Sequence, residues 1–322
     1  MKEININEIE GFRIGHATNT EGGTGCSVII CEEGACTGLS VMGAAPASRE
    51  TELLKPLMDC KAVHAVTLTG GSAYGLAAAD GVIKYLEEKE IGFDVGMGVV
   101  PITPASAIFD LIVGDFKARP TKEMGYAACV DSENNNPGCG NVGVGTGATV
   151  GKFKGAEQCM KTGVGTYAVQ IGDLKIGAIV AVNALGDIFD ADSGKQIAGM
   201  VNKDRTAFEK SCEAMWDSVQ QNVNVFSGNT TIGCVITNAN LRKDQCCKLA
   251  EMTHDGYARV IKPVHTTADG DSIYFMAHGD VEVYQDALGD LSAYVMSKAI
   301  NKAVISAESA YGFKTAADLG LV

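Results

Sequence analysis

Basic clusters and long apolar runs are scarce in this sequence. The chain has 26 basic against 39 acidic side chains and a formal net charge of -13, which repels polyphosphates and anionic lipid headgroups where no basic stripe offsets it. The longest near-continuous apolar stretch, residues 176–182, is far too short to span a bilayer, and residues 1–10 hold no apolar targeting segment. We therefore expect a cytoplasmic protein with no nucleic-acid partner and no membrane contact.

The sequence also lacks the spacings typical of disulfide and metal sites. Its 11 cysteines are an odd number without small-domain spacing, which argues against a disulfide framework. No CxxC or HExxH motif is present, and the 5 histidines lie far apart, so a zinc site has no support. We expect reduced, mostly buried thiols, no metal and no cofactor.

Glycine is the abundant residue, with 39 copies concentrated between residues 11 and 186. Glycine at this density beside short runs of Val, Ile and Ala is typical of many short strands with helices packed on them. With 322 residues, 46% of them hydrophobic, the chain can bury a substantial core. We predict a mixed α/β architecture in a single domain that spans residues 1–322.

Local patterns predict the individual elements. Runs rich in β-branched residues indicate strands, and apolar residues that recur at helical spacing indicate helices. Strands are expected at residues 62–69, 91–100, 166–182 as a hairpin about Gly172, 230–237 and 271–277. Helices are expected at residues 72–88, 194–216, 286–306 and from 241 onward, with helical character also at 105–111. The polar, unpatterned residues 218–229 are the best linker candidate.

The segment GATVGK, residues 147–152, looks at first like a phosphate-binding loop. Such a loop needs four residues between its glycines and a hydroxyl residue after the lysine. Here the interval from Gly147 to Gly151 is shorter, and Phe153 follows Lys152. The backbone cradle and the magnesium ligand are therefore not expected, and neither is a nucleotide site.

The junction between Asn229 and Thr230 carries more information. A polar, glycine-containing loop ends there in a hydroxyl residue that opens a predicted buried strand. This arrangement suits an attack by the Thr hydroxyl on the carbonyl of its own preceding peptide, which after hydrolysis frees an N-terminal threonine. Such a residue carries nucleophile and base together, because its α-amine can deprotonate its own hydroxyl. An ordinary loop entering a strand is the alternative.

Blocks spread along nearly the whole chain resemble one family when they are taken together and in order. They are GFRIGHATN, VMGAAPASRETELL, VTLTGGSAYGLAAADGV, GVGTGATVGK, AVNALGDI, NTTIGCVITNA and HTTADGD. They resemble the DmpA family of self-processing L-aminopeptidase/D-esterases, which includes β-peptidyl aminopeptidases and the endo-type hydrolase of nylon (6-aminohexanoate) oligomers. The resemblance implies a four-layer αββα sandwich like that of ornithine acetyltransferase, similar to N-terminal-nucleophile hydrolases but differently connected. It also implies a homotetramer.

The resemblance assigns the cleavage site and two catalytic roles. It implies autoproteolysis between Asn229 and Thr230, with an α chain 1–229 and a β chain 230–322. Thr230 is then the nucleophile; Thr231 competes, but the spacing to ITNA at residues 236–239 favours Thr230. Asn183 matches a family asparagine that helps to form the oxyanion hole, although an asparagine that closes a strand is also an ordinary turn residue.

The remaining matches concern charge and substrate contact. Lys152 matches a family lysine near the nucleophile. Asp269 and Asp271 match acidic positions of the nylon-hydrolase branch, from which the aminopeptidase branch differs, and they would orient the Thr230 amine and Lys152. Without the family, the lysine would be read as exposed and the DGD segment as a turn or cation loop. Phe109 stands where some relatives have a tyrosine, and Gly71 and Ser72 either border the site or simply start a helix. We list these three, Gly71, Ser72 and Phe109, as candidate substrate contacts.

The implied activity is that of an autoprocessed amide hydrolase with an N-terminal threonine and no cofactor. Its expected substrates are short peptides, amino-acid amides or nylon-type 6-aminohexanoate oligomers. One alternative is an acyl transferase of the ornithine acetyltransferase type, which also cuts itself before a threonine. The other is a catalytically inactive binding or scaffold protein that keeps the fold uncut.

Overall fold

The computed structural model describes residues 1–221 and 228–322, in which short strands outnumber helices. The strands are β1 Lys2–Ile4, β2 Arg13–Asn19, β3 Thr24–Val41, β4 Ala47–Arg49, β5 Val63–Thr69, β6 Phe93–Asp94, β7 Val99–Val100, β8 Ala105–Ala107, β9 Thr149–Val150, β10 Met160–Lys161, β11 Val164–Ile171, β12 Leu174–Asn183, β13 Asp187–Phe189, β14 Gln196–Ala198, β15 Thr230–Ala239, β16 Ile261–Lys262 and β17 Ser272–Val281. The helices are α1 Ser72–Gly75, α2 Ala78–Glu88, α3 Lys122–Ser132, α4 Ser211–Asp217, α5 Lys243–Val260 and α6 Gln285–Ile305.

The long strand β3 joins two sheet layers. The strand order is β1-β11-β12-β15-β17-β3-β5-β8-β4, with β2 also paired to β3. The first part of β3 pairs with β5 and its last part pairs with β17, with an irregular register between Ile30 and Ala35. One apolar core contains Ile29 and Val66 from the first layer together with Ile232 and Tyr274 from the second. The two layers therefore pack face to face.

Helices cover the two outer faces because the strand side chains alternate. In β17, Phe275 belongs to the core that contains residues of α5 and α6, whereas its neighbours Tyr274 and Met276 face the core between the sheets. A third core packs α2 and α3 against Val28 and Ile30 of β3. The architecture is helix, sheet, sheet, helix, and the predicted αββα sandwich is confirmed.

Two strand pairings bring distant parts of the chain to one point. Strand β15 pairs antiparallel with β12 and parallel with β17. The parallel connection runs through α5, as parallel neighbours require a crossover. The start of β15 therefore lies beside the end of β12 and beside the loop that precedes β17.

Most element predictions are confirmed and three are wrong. The strands expected at residues 62–69, 166–182, 230–237 and 271–277 and the helices expected at 72–88, from 241 and at 286–306 are present, with the first helix divided into α1 and α2. Residues 105–107 form β8 rather than a helix, because they pair with β5 and β4 inside the sheet. Residues 194–216 are helical only in α4, and residues 91–100 form only the short strands β6 and β7. Of the predicted linker 218–229, residues 222–227 lie outside the described residues.

The sequence also predicts reduced thiols and no membrane contact, and the structure describes both the cysteines and the helices. All 11 cysteines are free, and most of them are buried. Among the described residues, no helix combines the length and the apolar character that a membrane crossing requires.

Helix α6 lies so close to β11 that only glycine fits at position 165. A Cβ on Gly165 would stand 2.2 Å from the Ala299 oxygen and 2.4 Å from the Ala303 nitrogen, so Gly165→Ala should lower the free energy of unfolding by about 1–3 kcal/mol. The matched control is Gly138→Ala, whose Cβ would first meet Val142 at 3.4 Å, with an expected change within about 0.5 kcal/mol. Urea unfolding measures both, and equal stability of the two variants would refute the close packing.

Candidate active site

Thr230 and Asn183 face each other across two neighbouring strands. Thr230 is the first residue of β15 and Asn183 is the last residue of β12, and they are direct partners in the antiparallel register. The β-branched run TTIGCVIT extends β15 into the core. Both side chains are buried, with 4% exposure at Thr230 and none at Asn183. The predicted nucleophile and the predicted oxyanion donor are thus brought together by strand pairing.

The carbonyl of Asn229 receives hydrogen bonds from two sides. The Thr230 hydroxyl donates to it, and the Gly270 N–H donates to the same oxygen at 3.0 Å. Asn229 also forms a parallel bridge with Asp269. The peptide between Asn229 and Thr230 is therefore held with its carbonyl polarised and the hydroxyl beside it.

Lys152 is buried next to this peptide. Its Nζ donates to Asn183 Oδ1 at 2.7 Å, to the Asn183 carbonyl at 2.9 Å and to the Gly228 carbonyl at 3.2 Å. Burial lowers the pKa of Lys152 from 10.5 to about 7, although nearby anionic groups, including Asp269, favour the charged form. A lysine with this pKa can give or take a proton near neutral pH.

The two carboxylates of the DGD segment hold the main chain around the site. Asp271 accepts the Thr231 N–H at 2.7 Å, and its other oxygen lies 2.8 Å from His265 Nδ1. Asp269 accepts the Leu185 N–H at 3.3 Å and two hydrogen bonds from Thr266. Burial raises the pKa of Asp269 to about 6, and the Asp271 carboxylate adds to the rise. The carboxylates therefore fix the residues that follow Thr230 and Asn183.

The candidate substrate contacts form one group of loops next to Asn183. The Asn183 side-chain amide donates to the Phe109 carbonyl at 3.0 Å. The Ser72 N–H donates to the Ile108 carbonyl at 2.9 Å, and Gly71 has a φ of 79° that suits glycine. Ser72 and Phe109 are half-buried, so both retain exposed surface beside the buried Asn183.

Comparison with known proteins shows which family the chain resembles over its whole length. The model of Peptidase family S58 matches residues 5–317. An uncharacterized aminopeptidase of Mycobacterium leprae is 36% identical over 96% of this chain and 92% of its own length.

The chain belongs to peptidase family S58. As a member of it, the chain is a hydrolase that acts on peptide or amide bonds, and the resemblance drawn from the sequence blocks is confirmed.

More distant relatives agree with this membership. A 6-aminohexanoate-oligomer endohydrolase of Kocuria sp. is 27% identical over 92% of this chain and 84% of its own. The β-aminopeptidase of Burkholderia sp. superposes with a TM-score of 0.69 at 20% identity, covering 98% of this chain and 91% of that one. The L-aminopeptidase D-Ala-esterase/amidase of Ochrobactrum anthropi is described as a variant of the Ntn hydrolase fold. It superposes with a TM-score of 0.69 at 16% sequence identity, covering 94% of this chain and 86% of that one. These two structures show a common fold.

The candidate site of this S58 chain includes residues that the sequence patterns do not single out. Gly270 has no role in the sequence predictions, yet its N–H donates to the Asn229 carbonyl. A Cβ at this position would lie 2.9 Å from Thr230 Oγ1 and 2.7 Å from the Ala45 oxygen, so glycine is required. His265, which opens the HTTADGD block, lies against Asp271.

Asp110 is the third such residue. It is 2% exposed, accepts the Gly71 N–H at 2.6 Å and accepts the Thr24 hydroxyl at 2.6 Å. It thereby ties the Gly71 loop to Phe109, its neighbour in sequence. A lone aspartate after Phe109 has no sequence signal that distinguishes it from a surface carboxylate.

The buried Asp110 makes stability depend on pH. Burial raises its pKa from 3.8 to about 6, so between these values the folded state holds a proton that the unfolded state has lost. The stability that this proton contributes at pH 4 is then lost as the pH rises through about 6. Relative to Asp110→Asn, the wild type should lose up to about 3 kcal/mol of unfolding free energy between pH 4 and 7.

Urea unfolding of both proteins at several pH values measures this difference. Asp115→Asn, at an exposed aspartate, is the matched control. A difference between wild type and Asp110→Asn that does not change with pH would contradict the assignment.

Proposed function

We propose that this chain cleaves itself between Asn229 and Thr230 and then hydrolyses amides with the freed Thr230 as its N-terminal nucleophile. The observation that supports this most directly is the contact of the Thr230 hydroxyl with the carbonyl of its own preceding peptide. The products, 1–229 and 230–322, stay in one domain because β12 and β15 are neighbours in the same sheet.

Self-cleavage begins when Thr230 Oγ1 attacks the carbonyl carbon of Asn229. The hydroxyl proton passes to the Thr230 nitrogen, the C–N bond breaks, and an ester joins Asn229 to Oγ1. Water hydrolyses this ester to the Asn229 carboxylate and free Thr230. The Gly270 N–H, 3.0 Å from the carbonyl oxygen, stabilises the negative charge that develops there.

The mature site repeats this chemistry on a substrate amide. The Thr230 α-amine takes the hydroxyl proton, because a terminal amine titrates near neutral pH. The Asn183 amide nitrogen carries two N–H groups; one binds Phe109, and the other is assigned to the oxyanion. Lys152 carries protons near the nucleophile, while Asp269 and Asp271 hold the surrounding main chain. The scheme uses no metal or organic cofactor.

The substrates are proposed from the relatives and from the space beside Lys152. Relatives are named as aminopeptidase and 6-aminohexanoate-oligomer endohydrolase, so short peptides, amino-acid amides and 6-aminohexanoate-type oligomers are the proposed classes. A cavity of about 220 Å³ beside Lys152 is lined by Ile112, Gly155 and Ala156. Its size favours a short acyl group.

The proposal also places the enzyme in the cytoplasm as a homotetramer. The free cysteines suit a reducing compartment. Exposed apolar side chains, among them Leu57 at 93% and Met97 at 95% exposure, offer surface that contacts between subunits would cover.

Intact mass under denaturing, reducing conditions tests the cleavage. The wild type should give two species, 1–229 and 230–322, whereas Thr230→Ala should remain one chain of 33.6 kDa without amidase activity, because it has no hydroxyl to attack. Thr231→Ala is the matched control and should cut normally. A Thr230→Ala chain that is cut and active would contradict the assignment of Thr230 as the nucleophile. A stable, uncut wild type would favour the scaffold alternative.

Gly270→Ala tests the backbone donor. The added Cβ would stand 2.9 Å from Thr230 Oγ1 and displace the N–H from the Asn229 carbonyl, so self-cleavage should slow by about 100-fold, as for the loss of one oxyanion donor. The time course of the cut fraction measures the rate, with Gly138→Ala as control. Wild-type rates in a folded Gly270→Ala protein would exclude this role.

A further inference from the structure

His265 makes an unusual paired contact with the carboxylate that supports the nucleophile. Its ring Nδ1 lies 2.8 Å from Asp271 Oδ2, and its backbone N–H donates to the same oxygen at 3.1 Å. The other oxygen of Asp271 accepts the Thr231 N–H at 2.7 Å. His265 thus holds one oxygen of the Asp271 carboxylate, and the other oxygen holds Thr231, the residue next to Thr230.

The imidazole is fixed by two rings of helix α5. The His265 ring stacks on Tyr257, with centroids 6.0 Å apart, and meets the edge of His254 at 4.7 Å. Its Nε2 is buried and has no hydrogen-bond partner among residues 1–221 and 228–322. A proton on Nε2 would therefore be buried without an acceptor, which places the ring proton on Nδ1, toward Asp271.

The backbone at His265 is held in a conformation that is uncommon for this residue type. Its φ is 56°, in the left-handed region that costs a non-glycine residue free energy. In this conformation both the N–H and Nδ1 of one residue reach the same carboxylate oxygen. The two hydrogen bonds to a buried carboxylate offset that cost.

We propose that His265 is a positioning residue, which holds the Asp271 carboxylate so that this carboxylate fixes Thr231 and thereby the geometry of Thr230. His265 acts through Asp271 and does not itself touch the scissile peptide. This inference rests on the proposed self-cleavage at Thr230 and extends it to a residue outside the predicted set.

Two substitutions separate the hydrogen bond from the packing of the ring. His265→Phe keeps an aromatic ring against Tyr257 but donates nothing to Asp271. His265→Asn donates from an amide nitrogen close to the position of Nδ1, and asparagine tolerates a positive φ. If the donated hydrogen bond matters, His265→Phe should slow self-cleavage about 10- to 100-fold, the effect of losing a charge-assisted bond. His265→Asn should stay within about threefold of wild type.

The measurement is the time course of the 1–229 and 230–322 species by intact mass, with kcat and KM of the matured proteins on an amide substrate. A positioning role should lower kcat and leave KM within about twofold, because it acts on the reacting geometry. His254→Phe is the matched control: it alters the same ring cluster, but its Nε2 contacts the Ser40 carbonyl. This control should cut at the wild-type rate.

The outcomes distinguish a failure of the positioning role of His265 from a failure of the proposed self-cleavage. Wild-type rates in His265→Phe, or equal slowing in His265→Phe and His265→Asn, would overturn the positioning role. If His265→Phe does not fold, His265→Gln takes its place, since its amide lies one methylene further out and misses Asp271. A wild-type chain that never cuts would defeat the proposed function itself, before any comparison among the variants.

Discussion

The site depends on how the first residue of β15 is fixed on both sides. Antiparallel pairing with β12 sets Asn183 opposite Thr230, and parallel pairing with β17 sets the loop 269–271 beside Asn229. Because strand register is specified by a buried sheet with apolar faces on both sides, a slip of one residue would turn Thr230 to the other face. The core between the sheets and the core under α5 and α6 therefore hold the geometry of the candidate site as well as the fold.

Burial of charged groups is the second feature on which the chemistry depends. Desolvation lowers the pKa of Lys152 to about 7 and raises those of Asp110 and Asp269 to about 6. Groups that normally titrate far apart are thus brought toward neutral pH from opposite sides, a pattern typical of functional sites. Hydrogen bonds to main-chain groups partly offset the cost of burying them, and these bonds also fix each side chain in place.

The periodic patterns in the sequence predicted the layers, and the ordered sequence blocks predicted most residues of the candidate site. The β-branched run after Thr230 predicted β15, and the ordered blocks predicted the family together with Thr230, Asn183, Lys152, Asp269 and Asp271, which the structure gathers at one place. What the sequence missed depends on main-chain geometry. Gly270 contacts the Asn229 carbonyl through its main-chain N–H, and β8 is a strand because it pairs with β5 and β4 inside the sheet. Neither effect has a side-chain pattern that a single sequence can display.

The proposed cut divides the site between two chains. Residues 1–229 supply Asn183 and Lys152, and residues 230–322 supply Thr230, Gly270 and Asp271. Neither product contains a complete site, so activity requires that the two remain paired after cleavage. The pairing of β12 with β15 and of β17 with β3 joins them within one sheet. The core that includes Val180 of β12 and Phe275 of β17 also draws on both. Breaking one peptide bond at the edge of this core frees the Thr230 amine while the hydrogen bonds and apolar contacts that position it remain in place.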